Sequence, residues 1–150
     1  MENKMQTNPK SDLLVVKDLV KYFPVRGGLL QRTVGQVQAV DKVSFEVMEG
    51  STVGLVGESG CGKTTVGRSI LRLIEPTSGQ VAFNGEDVLS MRAGSLKTLR
   101  RNMQIIFQDP YASLNPRMPI GESVMEGLNI HKIGRPKDRW DVAIQMLKRV

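Results

Sequence analysis

One hundred and fifty residues, 40% of them apolar and 24% charged, suit a single soluble globular domain with its own core. The longest apolar runs, such as Leu13-Leu14-Val15-Val16, are far too short to span a bilayer, and the polar Met1–Asp12 stretch has no apolar secretory segment. One cysteine excludes a disulfide framework, so the chain is expected in the cytosol or attached to a membrane from that side; the net charge of +6 sits in clusters (Lys97, Arg100, Arg101; Arg135, Lys137, Arg139, Lys148, Arg149) without interleaved aromatics, which reads as solvated helix faces and not as a nucleic-acid surface.

In chain order, residues 1–11 form a polar tail. Leu13 to Val16, Val37 to Val40 and Val43 to Val47 are predicted strands, with turn chemistry at Asp41-Lys42 and Glu49-Gly50. Val25 to Gln36, with Gly27-Gly28 and Gly35, is expected to be a mobile loop or hairpin carrying Arg26 and Arg32. These short, closely spaced strands predict an antiparallel sheet ahead of an α/β core. Thr52 to Val56 is apolar and β-branched and reads as a buried strand. Val66, Ile70, Leu71, Leu73 and Ile74 then fall on one helical face. Gly79 to Phe83 reads as a strand closed by the Asn84-Gly85 turn, Ser95 as the N-cap of a short helix through Leu99, and Gln104 to Phe107 as a further strand. A proline-punctuated loop follows. Ile120, Val124 and Leu128 predict a helix, and another begins at Asp138 with the stripe Trp140, Ala143, Ile144, Leu147, Val150. That stripe is still running at the last residue with no C-cap, which points to missing sequence.

Between the predicted strand at Thr52–Val56 and the helix stands Gly57-Glu58-Ser59-Gly60-Cys61-Gly62-Lys63-Thr64, a complete G-x-x-x-x-G-K-[ST] loop. A triphosphate needs backbone N–H groups close around its oxygens, and glycines permit that approach. The helix N-terminus beyond Gly62 adds free donors and the positive end of a dipole. Lys63 is placed to reach the β- and γ-phosphates, Thr64 to offer Mg²⁺ a hard oxygen, and Thr65 to bond the α-phosphate side. The spacing G-x-G-x-x-G is absent, which disfavours NAD or FAD. No apolar strand ending in an Asp-Glu pair follows the loop; Ile105-Ile106-Phe107-Gln108-Asp109 comes nearest, and Gln108 interrupts it.

The phosphate loop together with Phe107-Gln-Asp-Pro-Tyr-Ala-Ser-Leu-Asn-Pro116 resembles the ATP-binding subunits of ABC transporters, specifically the oligopeptide/dipeptide importers, over residues 12–150. The resemblance implies an α/β P-loop NTPase fold of ABC type. It implies an antiparallel β subdomain, the start of a RecA-like core holding the phosphate loop (57–65), a Q-loop region (107–118) and the beginning of a helical subdomain from about 120, together an incomplete domain. It assigns Phe23 to stacking on adenine, with Tyr22 as fallback, and Gln108 to holding Mg²⁺ and positioning the attacking water. It sets Tyr111 to Met118 against membrane-spanning permease subunits. A second ATP-binding subunit, identical or not, and indirectly a substrate-binding protein are further implied partners, at the cytoplasmic face of the cell membrane. The family's Ser-Gly-Gly-Gln signature, Walker B carboxylates and switch histidine have no counterpart here, and His131 reads as a surface residue. This chain alone is therefore expected to bind ATP with Mg²⁺ and not to hydrolyse it. The alternatives are a soluble ABC-type ATPase acting on nucleic acid or ribosomes and a small P-loop kinase.

Overall fold

The computed structural model describes residues 12–28, 31–109 and 114–150. The chain divides into two compact units, one running to Lys97 and the other from Thr98 to Val150. The polar tail, Leu29-Leu30 and Pro110 to Ser113 (Tyr111 among them) lie outside the described residues.

The first unit is built on two long strands, β1 (Asp12–Gly27) and β2 (Arg32–Met48). They pair antiparallel along their whole length, from Asp12 opposite Met48 to Gly27 opposite Arg32. The predicted Val37–Val40 and Val43–Val47 strands are thus one strand. Asp41-Lys42 is an irregularity inside it, with Lys42 at φ 50°, and not a turn between two. Of the two expectations for Val25–Gln36, a mobile loop or a hairpin, the described residues form the hairpin ribbon, because each strand supplies the other's hydrogen bonds. β3 (Ser78–Phe83) pairs with β1 from Leu14–Phe83 to Val20–Ser78, and β4 (Glu86–Asp87) pairs with β3 across the Asn84-Gly85 turn. Both turn residues have positive φ, 50° and 77°, as a two-residue hairpin connection requires. The sheet order is β2-β1-β3-β4. Beyond Val20 the β1–β2 ribbon leaves β3 behind and continues as two strands.

α1 (Lys63–Ile70) rests on β1 and β2. Val66 and Ile70 from the helix, with Leu71 behind it, join Val16, Leu19, Val20, Val40 and Val81 in the core. Burying each such side chain contributes roughly 1.5–3 kcal/mol. The helix stops at Ile70, four residues short of the predicted Ile74: Arg72 turns to φ 51°, and Leu73 stays exposed. α2 (Ala93–Leu99) starts two residues before Ser95, which therefore lies inside the helix and is not its cap.

The second unit pairs α3 (Ile120–Ile130) with α4 (Arg139–Arg149). Arg139 ties the connection: its guanidinium donates to the Ile133 and Gly134 carbonyls and to Asn129 Oδ1 at 3.0, 3.3 and 2.9 Å. Trp140 covers Gly121, where any side chain would collide with the indole. Of the α4 stripe, only Ala143 is buried; Trp140, Ile144, Leu147 and Val150 are exposed.

Two predicted strands do not form. Residues 51–58 carry no ladder, and Val53, Leu55 and Val56 are exposed; residues 103–107 are likewise irregular, with Ile106 exposed. A β-branched apolar run has the propensity for a strand, but its backbone N–H and C=O groups need neighbours on a sheet, and none of the described residues pairs with either segment.

Candidate functional site

The phosphate loop closes on itself. Cys61 N–H donates to the Glu58 carbonyl at 3.3 Å, and Val66 N–H donates to the Gly62 carbonyl at 2.9 Å as α1 begins. Gly62 is the N-terminal cap at φ 98°, and Gly60 stands at φ 82°. Gly62 answers two demands at once: the left-handed backbone, and an approach so close that a Cβ there would run into the Ala39 carbonyl of β2. At Gly57 a Cβ would lie 2.7 Å from Cys61 Sγ. The loop's glycines thus follow from tight packing as well as from dihedral freedom.

Lys63 folds back over the loop. Its Nζ donates to the Gly57 carbonyl at 2.7 Å, to the Glu58 carbonyl at 2.6 Å and to Cys61 Sγ at 3.4 Å. An ammonium has three donors, and the sulfur is the weakest acceptor of the three, so that contact is the one a phosphate oxygen would most readily replace. Thr64 is exposed on the first turn of α1 and Thr65 half-buried beside it; Glu58, Ser59 and Cys61 are exposed. The exposed Thr64 hydroxyl is a hard oxygen donor next to Lys63, which fits a Mg²⁺ that keeps most of its shell as water and phosphate oxygens. A cavity of about 190 Å³ opens between the loop and β2, lined by Ala39, Asp41, Val56, Cys61 and Lys63.

Phe23 lies at the root of the two-stranded ribbon, with Val37 as its cross-strand partner. Phe23 is 37% exposed, and Lys21 Nζ stands 4.9 Å from the ring centre. Tyr22, one residue away and so on the opposite face, donates its hydroxyl to Asp41 Oδ1 at 2.6 Å. That bond, then desolvation and the carboxylate's charge, push the phenol above its ordinary pKa. Of the two neighbouring rings, Tyr22 is tethered to Asp41 and Phe23 lies under the Lys21 ammonium.

Gln108 is exposed at the end of the irregular 103–107 segment and belongs to the second unit. Leu114 to Arg117 are exposed as well, in a turn where Asn115 Oδ1 accepts from the Arg117 N–H at 3.0 Å. His131 is half-buried, not a plain surface residue. It lines a pocket of about 450 Å³ with Arg100, Arg101, Leu128 and Met146, which contains no predicted nucleotide-site residue. Sequence reasoning missed Lys21, Glu75 and Thr77, which brace the Phe23 segment. Lys21 lies more than fifty residues from Glu75 and Thr77 and forms no motif with them, so only the folded structure shows them together.

A glycine loop of this geometry at the head of a helix, carried beside an antiparallel sheet, defines a P-loop nucleotide-binding fold. The profile of the ABC transporter family matches residues 40–150, and the chain belongs to that family. Its fold is that of an ABC ATPase cassette. A dimeric post-hydrolysis state of the ATP-binding cassette MJ0796 bound to ADP and Pi superposes with a TM-score of 0.71 at 26% identity, over 90% of this chain and 56% of that one. The chain is 47% identical to the oligopeptide transport ATP-binding protein AppF of Bacillus subtilis, over 92% of its own length and 42% of AppF. It is 49% identical to the glutathione import ATP-binding protein GsiA of Escherichia coli, over 92% of its length and 22% of GsiA. A putative peptide import ATP-binding protein of Brucella ovis is 50% identical over 94% of this chain and 42% of that protein. The chain thus spans less than half the length of these relatives. No described helix is long and apolar enough to cross a membrane.

Proposed function

We propose that this chain is the ATP-binding portion of an ABC transporter subunit that energises import of oligopeptides or dipeptides. The observation that carries the reading is the self-closed phosphate loop with Lys63 held over it. In this reading the backbone donors of residues 57–65 and the N-terminus of α1 bind the phosphates. Lys63 exchanges its sulfur contact for a β- or γ-phosphate oxygen, and Phe23 stacks on the base. Mg²⁺, when bound, neutralises charge on the phosphoryl oxygens, and Thr64 and Gln108 are the residues that would hold it. Gln108 also orients the attacking water. The whole protein is an ATPase; this chain binds the nucleotide and does not hydrolyse it alone.

The peptide and glutathione names of the relatives support the substrate class. The partners in this reading are membrane-spanning permease subunits, a second ATP-binding subunit and, indirectly, a substrate-binding protein, at the cytoplasmic face of the membrane. The same names disfavour the alternative of a soluble ATPase working on nucleic acid or ribosomes.

The test is MgATP binding by calorimetry. Lys63→Ala removes a charge-assisted contact of roughly 1.5–3 kcal/mol, an expected loss of about ten- to a hundredfold in affinity. Unchanged affinity in that variant would sink the assignment.

A further inference from the structure

Three hydrogen bonds join the root of the β1–β2 ribbon to the turn that leaves α1. Thr77 N–H donates to the Val20 carbonyl at 2.8 Å, Tyr22 N–H donates to Thr77 Oγ1 at 3.0 Å, and Lys21 Nζ donates to the Glu75 carbonyl at 2.7 Å. They fall where β1 loses β3 as a neighbour, so they replace a sheet partner that has just ended. Glu75 is itself held by Arg72, whose Nε lies 3.0 Å from its carboxylate, and Arg72 also donates to the Met91 carbonyl at 2.7 Å. Strand alternation puts Lys21 and Phe23 on one face, and the anchored ammonium stands 4.9 Å from the Phe23 ring centre.

We propose that Lys21 and Thr77 are positioning residues for the nucleotide base, resting on the reading of Phe23 as its stacking partner. Lys21 covers one face of the ring, and Thr77 fixes the backbone on either side of Lys21, through the Val20 carbonyl and the Tyr22 N–H. The open face is then presented at a set distance from the phosphate loop. The brace runs through the turn that follows α1, and α1 begins at Lys63, so base platform and phosphate site share one rigid connection. A ligand that bridges the two gains from that connection; a ligand with phosphates alone does not.

Two probes separate these cases in the full-length protein: MgATP, and magnesium tripolyphosphate, which has the phosphates and no base. Phe23→Ala should weaken MgATP about tenfold or more and leave tripolyphosphate unchanged. Lys21→Met and Thr77→Val should each weaken MgATP about two- to fivefold with tripolyphosphate unchanged, and Lys21→Arg, which keeps both the cation and the donor, should restore it. Equal losses for both ligands in Lys21→Met and Thr77→Val would mean a brace for the fold or the loop and would overturn the proposal. So would wild-type affinity in both variants while Phe23→Ala loses MgATP. If Phe23→Ala leaves the ratio of the two affinities intact, the stacking reading falls first, and the positioning role falls with it.

Discussion

The phosphate loop and the Gln108 segment are both short, irregular stretches predicted to touch nucleotide, and they differ in what holds them. Residues 57–65 close through hydrogen bonds among themselves and through Lys63 folded onto Gly57 and Glu58, with α1 and β2 packed behind. Residues 103–107, which lead to Gln108, have no ladder, and Ile106 is exposed. Residues 52–56, before the loop, share that condition. A site built from local contacts can form as soon as its own residues are present. A site hung from a strand waits for the strand's neighbours.

The largest effect should come from breaking the self-closed loop where it is tightest. Gly62→Val meets both the positive φ and the Ala39 carbonyl, a strain of about 1–3 kcal/mol for the backbone alone before the collision is counted. MgATP affinity should fall by at least about a hundredfold, and a calorimetric titration checks it. Gln108→Ala should behave differently: under the role proposed for it, turnover of the full-length protein should fall about a hundredfold, while MgATP affinity falls much less than in Gly62→Val because Thr64 and the phosphates still hold the metal. Equal loss of binding in the two variants would erase the contrast.

Hydrogen exchange sharpens it further. Amides of Val53, Leu55 and Val56 should exchange rapidly in the 150-residue chain, and those of Val16 and Val81 slowly, because only the latter lie in a buried ladder. Protection of 52–56 equal to that of β1 would show that the segment finds a partner within this chain. The smallest effect is expected at Cys61, which is exposed and sits inside the loop. Cys61→Ala should change MgATP affinity by no more than about threefold, consistent with the weak sulfur contact it loses. Alkylation of Cys61 should be slowed by MgATP, and equal labelling with and without nucleotide would contradict a phosphate position over the loop.

Much of the site was legible because its rules are local. Glycines at Gly57, Gly60 and Gly62 with Lys63 and Thr64 specify their own turn, and the predicted strands Leu13–Val16 and Gly79–Phe83 fall at the start of β1 and within β3. Of the two readings of Val25–Gln36, a mobile loop or a hairpin, the structure has the hairpin, with Val25 opposite Gly35 and Gly27 opposite Arg32 despite the glycines. Other features were misread. Helix α1 looked longer than it is because apolar Leu73 and Ile74 keep the spacing, while Arg72 breaks the backbone at φ 51°. Residues 52–56 and 104–107 looked like strands because propensity records what a segment prefers and not whether neighbours exist.

By itself, then, the sequence determined the chemistry of the phosphate loop, since nine consecutive residues contain both the donors and the dihedral freedom that loop requires. Only the tertiary structure decided which of the two neighbouring rings is tethered through a hydroxyl and what braces the segment that carries them. That choice rests on Tyr22 meeting Asp41 and on Lys21 and Tyr22 meeting Glu75 and Thr77, contacts made across nineteen to fifty-five residues of chain. Side chains so far apart carry no shared pattern until the backbone brings them together.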